Sequence, residues 1–155
     1  MPDEGRPDLA AMTVRLSRAL MAAEEPVLAA HGISMWAYAV LTTLAAEPAP
    51  SQQVLAERIG ADKTRIIATL DALQRQGLLE RVPDPDDRRL RTVTITPAGR
   101  RLQRAVCAQI QRQEEMMLTG LAPASRREFL AALQELSAIP QADLVARLRG
   151  GGNVG

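Results

Sequence analysis

The chain has 155 residues, enough for one domain with its own core, and Phe, Trp and Tyr occur once each, so that core must come from Leu, Ile, Val, Met and Ala. No apolar run reaches the roughly 20 residues of a membrane span; the opening MPDEGRPD is acidic with no signal-peptide stretch, and a lone cysteine allows no disulfide framework, which together point to the cytoplasm. The net charge of +1 says little, but residues 51–101 carry ten Lys or Arg against seven acids while residues 1–50 carry three Arg against six, a basic middle that suits either a polyanion or a solvated Arg-rich surface.

Taken in chain order, Leu9, Met12, Leu16, Leu20, Ala23 and Val27 recur at helical spacing and form one apolar stripe, with a kink or break expected at Pro26 and an end at Gly32. Ser34 caps a second helix carrying Trp36, Val40, Leu41 and Leu44, which stops before Glu47-Pro48. Ser51 caps a short helix over 52–58, and Ile59-Gly60-Ala61 is a tight turn. Asp62 caps a longer helix through Ile66, Ile67, Leu70 and Leu73, ending at Gly77. The pattern then changes to two strands, 78–82 and 90–95, around a Pro/Asp/Arg-rich turn. Thr96-Pro97 starts a long helix carrying Leu102, Val106, Ile110 and Met117 to Gly120. Another helix runs from about Pro123 through Phe129, Leu133 and Leu136 to a break at Pro140, with a short helix through Leu144 and Leu148 beyond it. The tail at 150–155 reads as disordered.

Residues 51–77 have helix-turn-helix proportions. In that motif the second helix enters the DNA major groove, which is about 12 Å wide and admits one helix. Here it starts Asp62-Lys63-Thr64-Arg65, a polar and basic first turn, and its apolar residues begin only at Ile66. Arg65 and Thr64 are expected at base edges, with Lys63 or Arg58 on phosphate; Ser51, Gln52 and Thr69 are further candidates on the same helix pair. An amphipathic helix pair with a polar first turn is the alternative. The hairpin tip with Asp87, Arg88 and Arg89, followed by Arg91, is too polar to pack. An Arg there suits the negative minor groove, with a neighbouring Asp gripping its guanidinium; a solubilising turn is the alternative.

The stretch LAERIGADKTRIIATLDALQRQGLLERVPDPDDRRLRTVTITPAG resembles the MarR (multiple-antibiotic-resistance regulator) family of bacterial transcription factors. The matches are Leu55-Ala56-Glu57-Arg58, Leu73 through Gly77-Leu78, Arg81, Asp87-Arg88-Arg89 and Thr96-Pro97-Ala98-Gly99. Weaker likeness extends it to about residues 9–139. The resemblance implies a mainly α fold with a small β-hairpin wing: a winged helix-turn-helix lobe (33–99) on a helical dimerisation frame (9–32 and 100–149). It also implies a homodimer made by the terminal helices, a pseudo-palindromic double-stranded DNA operator, and a repressor role released by a small effector; the apolar stripes on 9–27, 102–117 and 129–148 put the first and last helices side by side in that dimer. Asp87 and Arg89 match the wing-tip Asp-x-Arg pair, and Asp62 to Arg65 match the start of the recognition helix. Two departures stand out. Ile67-Ala68-Thr69 replaces a stretch that often holds a polar residue and an Arg, shifting the expected reading to Lys63, Thr64 and Arg65; Gln74 replaces a common Glu. The family often binds small aromatic, frequently anionic effectors between frame and lobe, and Met12, Arg15, His31, Trp36 and Tyr38 are the candidates to line such a crevice.

His31, at a helix end, otherwise reads as a partner of terminal carbonyls or water, and Cys107 as a buried structural thiol. No Gly-rich phosphate loop, nucleophile elbow or metal-ligand cluster is recognisable, so neither catalysis, a cofactor nor a metal is expected. A winged helix used for protein interaction, or a regulator that needs no ligand, are the remaining alternatives.

Overall fold

The computed structural model describes residues 5–150, which divide into two compact units, one up to Gln113 and one from Glu114. The first contains α1 (Leu9–Ala30), α2 (Met35–Ala46), α3 (Gln52–Ile59), α4 (Lys63–Arg75), β1 (Leu79–Pro83), β2 (Arg91–Ile95) and most of α5 (Pro97–Leu118). The second holds the end of α5, α6 (Pro123–Ser137) and α7 (Gln141–Gly150). Mainly helical with one antiparallel hairpin, this is a winged helix-turn-helix fold. Gly150 closes α7, and the remainder of the tail expected to be disordered lies outside the described residues.

The caps read from the sequence are engaged. The hydroxyl of Ser34 accepts the Ala37 N–H at 3.1 Å and that of Ser51 the Val54 N–H at 3.2 Å. Thr96 Oγ1 accepts the Gly99 N–H and donates to the Gly77 carbonyl, tying the start of α5 to the end of the α4 region. Of the kink or break expected at Pro26, the break does not occur: α1 runs on to Ala30. Pro26 and Ala22 are both exposed, so the carbonyl that loses its N–H partner lies on the solvent side, while the turn beyond buries Val27 and Leu28. Helix α4 ends at Arg75, two residues before Gly77, whose φ of 70° makes the turn into β1.

β1 begins one residue later than the sequence implies and includes Pro83, which the turn composition placed outside regular structure. The reason is register. The Asp84 N–H bonds the Leu90 carbonyl, so the neighbouring Pro83–Arg91 pair is of the kind that exchanges no hydrogen bonds, and proline's missing N–H costs nothing there. For the same reason Val93 turns its N–H and carbonyl away from β1, and both bond Ala49 (2.8 and 3.0 Å).

The core of the first unit is aliphatic. Leu41, Leu44, Leu55, Leu70, Leu73 and Leu79 are fully enclosed with Val40, Val93 and Val106, each side chain worth about 1.5–3 kcal/mol of burial. Arg100 fastens α5 to this core by donating to the Ala45 carbonyl at the end of α2 (2.9 Å). Much of the α1 stripe is left out: Leu9 and Met12 are exposed, and only Val27 and Leu28 are buried. In the second unit α6 and α7 bury no residue; Leu133, Leu136 and Leu148 are exposed, and Arg126 joins α6 to the end of α5 by pairing Glu115 at 2.6 Å. No single helix among the described residues is long and apolar enough to cross a membrane.

Candidate nucleic-acid interface

Helices α3 and α4 meet at Gly60, whose φ of 70° permits a turn that a side chain would strain, and the Ala61 N–H closes it on the Ala56 carbonyl at 2.9 Å. Ile66, Leu70 and Leu73 anchor the inner face of α4, which leaves Lys63, Thr64 and Arg65 exposed at its outer end. Asp62 Oδ1 accepts the Arg65 main-chain N–H at 2.8 Å, and chiefly that bond holds the carboxyl below its ordinary value.

The wing stands beside this end. Between them lies a groove of about 910 Å³ whose polar lining includes Ser51, Gln52, Lys63, Arg81, Arg89 and Arg91, with Glu57 as its acid. With Arg81 paired to Asp71, Lys63, Arg89 and Arg91 against one carboxylate still make it an anion-attracting surface. Arg81, on β1, donates Nε to Gln74 Oε1 of α4 at 2.6 Å and Nη2 to Asp71 Oδ1, a clasp that sets the distance from helix to wing. The sequence gives no hint of this clasp beyond Arg81 itself, and the clasp gives Gln74 a role.

Carboxylates and main chain, rather than the two prolines alone, shape the tip. Asp84 Oδ1 accepts the N–H groups of Asp86 and Asp87 (2.8 and 3.2 Å), and Asp87 Oδ1 accepts that of Arg89 at 2.9 Å. The expected grip of Asp87 on a guanidinium is therefore replaced by a grip on the Arg89 backbone. Arg88 and Arg89 are both exposed, and Arg89 is the one that lines the groove.

Three other candidates have partners within the protein. Arg58, expected on phosphate, pairs with Glu47 at 3.1 Å and reaches the Pro48 carbonyl. Thr69 spends its hydroxyl proton on the Arg65 carbonyl of its own helix. Arg65 places its guanidinium carbon 5.2 Å from the centre of the Trp36 ring, a contact between residues too far apart in sequence for spacing to reveal.

None of the five residues expected to line an effector crevice lines the groove beside the wing. Met12 and Arg15 are exposed on α1, and Trp36 faces Arg65. His31 places Nε2 3.1 Å from Gln109 Oε1 on α5, so its ring reaches a side chain instead of terminal carbonyls. Tyr38 is pushed up to about 12, first by burial and then by a hydrogen bond with Cys107, whose thiol is half-buried. A different recess, of about 480 Å³, lies between α1 and the start of α2 and is lined by Met21, Leu28, Ile33 and Met35 together with Glu25 and Ser34. Among the described residues no group of three or more His, Cys, Asp or Glu is placed to hold a metal ion.

Comparison with known proteins agrees with this geometry. The MarR family model matches residues 31–90. A curated relative, named as a candidate transcriptional regulatory protein for the hcr operon of Thauera aromatica, is 27% identical over 106 residues. That match takes in 68% of this chain and 64% of the relative, so the chain spans just under two thirds of that relative's length. Among solved structures, the CouR transcriptional repressor of Rhodococcus jostii RHA1 bound to a 23-mer DNA duplex is 25% identical with a TM-score of 0.70, covering 85% of this chain and 93% of CouR. The PcaV transcriptional regulator of Streptomyces coelicolor, crystallised with its natural ligand, is 30% identical with a TM-score of 0.62, covering 85% of this chain and 96% of PcaV. With its helix-turn-helix segment matched by the family model and nearly the whole of PcaV covered at that identity, the chain belongs to the MarR family of transcriptional regulators.

Proposed function

We propose that this protein is a homodimeric, sequence-specific DNA-binding regulator of the repressor type, released from its operator by a small effector. The observation that carries the reading is the groove between α4 and the wing, where the exposed end of a helix and an arginine-bearing tip converge on one cationic surface. A helix end of this kind suits the major groove and an extended arginine the minor groove. The DNA-bound CouR supports the repressor reading, and family and fold are those of transcriptional regulators rather than enzymes.

Support for an effector comes from PcaV, crystallised with its natural ligand. The recess between α1 and α2 has the size of a small-molecule site. Its walls are apolar, and Glu25 at its edge favours a neutral or hydroxylated aromatic ring over an aromatic carboxylate. A ligand seated there would shift α1 against α2 and so the spacing of two recognition helices, which must span half-sites about 34 Å apart.

The test is a mobility-shift titration on the DNA upstream of the protein's own gene, with an unrelated duplex as competitor. A retarded complex that survives competitor and dissolves when a hydroxylated aromatic is added supports the whole reading. A complex that no aromatic dissolves leaves a ligand-independent regulator, and no complex at all leaves a winged helix used for protein interaction.

A further inference from the structure

Trp36 is the only tryptophan in the chain, and it sits on α2 rather than on the helix-turn-helix. We infer that Trp36 is a positioning residue for DNA recognition, its indole face holding the Arg65 guanidinium so that the arginine's free donor edge is presented from the start of α4. The inference rests on the reading that α4 docks on DNA.

Two contacts hold the guanidinium, and a third anchors one of the partners. Its carbon lies 5.2 Å from the Trp36 ring centre, its Nε lies 3.7 Å from Asp62 Oδ2, and Asp62 is itself tied to the Arg65 main chain at 2.8 Å. A guanidinium stacked on an indole offers its face to the ring, while its N–H donors lie in the plane and point outward from the edge. Asp62 takes the Nε side. The two Nη groups have no protein partner among the described residues, and the side chain is half exposed. That pair is the edge that meets O6 and N7 of a guanine in the major groove. Trp36 therefore orients the arginine without consuming the donors that read.

The helix that carries this indole platform is well anchored: Ala37, Val40 and Leu41, its neighbours on α2, are buried in the core, while Trp36 itself is half-buried. A long arginine that is already held loses less freedom when it docks, which raises affinity without a new contact.

The test uses the full-length chain and a duplex that the wild-type protein selects from a random-sequence pool. Its Kd is measured for wild type, Trp36→Leu, Trp36→Phe, Arg65→Ala and the Trp36→Leu/Arg65→Ala double variant, with thermal melts to confirm folding. Trp36→Leu should weaken binding by at least about two- to fivefold, the worth of an exposed cation–π contact. It should also relax preference at the base pair that Arg65→Ala relaxes, cost nothing further in the Arg65→Ala background, and be partly rescued in Trp36→Phe. In the absence of DNA, Arg65→Ala should change Trp36 emission. An undiminished loss in the Arg65→Ala background, a Phe variant no better than Leu, or unchanged emission would overturn the inference while leaving DNA binding intact. If wild type selects no sequence from the pool, the DNA-binding reading fails and the inference fails with it, even where emission shows the stack to exist.

Discussion

Asp87 holds Arg89 by its main-chain N–H, which orders the three tip residues by what each contributes. Arg89 carries the charge that lines the groove, Asp87 fixes the backbone that aims it, and Arg88 is exposed without such a role. At matched salt, Arg89→Ala should weaken operator binding most, Asp87→Ala less and Arg88→Ala least. Each phosphate that a variant fails to neutralise should lower the salt slope by about 0.9, with stability changed by less than about 0.5 kcal/mol. Equal small losses in all three titrations would mean that the tip is only a solubilising turn. Asp62 gives a pH signature. Its carboxyl lies below the ordinary value of 3.8 because it accepts the Arg65 N–H. A depressed carboxyl contributes stability that is present above its unfolded value and is lost as pH falls through the folded one. The stability gap between wild type and Asp62→Asn, followed by denaturant titration, should therefore close as pH drops below 3.8 and stay constant through neutrality.

At the scale of elements, the seam between wing and α5 leaves no room for a side chain at Gly99. A Cβ at Gly99 would overlap the Leu78 carbonyl oxygen and come within 2.8 Å of Ile95 Cγ1, and a backbone oxygen cannot step aside as a side chain can. Gly99→Ala should cost about 1–3 kcal/mol in chemical denaturation, with both strands affected. A midpoint equal to that of wild type would show that the seam opens freely. This seam also marks how far the sequence can be read. Caps and periodicity depend on neighbours within four residues, so Ser34, Ser51, Asp62 and Thr96 announce their helices, and the hairpin is visible apart from a one-residue shift at its ends. Pro83 misleads because its effect depends on which strand pairs exchange hydrogen bonds, a matter of register rather than composition. Trp36 with Arg65, Arg81 with Gln74 and His31 with Gln109 are joined by the fold across loops, and nothing local encodes them. Of the five effector candidates, His31 and Tyr38 meet α5 at Gln109 and Cys107, neighbours that their own sequence positions do not reveal.

At the scale of the whole molecule, the exposed apolar faces have one economical explanation. Leu9, Met12, Val14 and Met21 in the first unit and Met116, Leu136 and Leu148 in the second face solvent in a single copy, and a second copy that covers them would form an interface of the obligate class, above about 2,000 Å². Sedimentation at micromolar concentration should show a dimer, and Leu148→Glu with Leu136→Glu should weaken it; a wild-type monomer would sink the proposal. Within each lobe, the paired bonds between Ala49 and Val93 have a different consequence. They join the linker that precedes α3 to the inner strand of the wing, while the Arg81 clasp joins the outer strand to α4. Helix and wing are thus cross-braced at two points, like a gripping tool with no joint between its jaws. On the proposed reading, a force applied at α2 withdraws both jaws together, and departure from the operator is a single event for each lobe, with no half-released state in which the wing lingers in the minor groove.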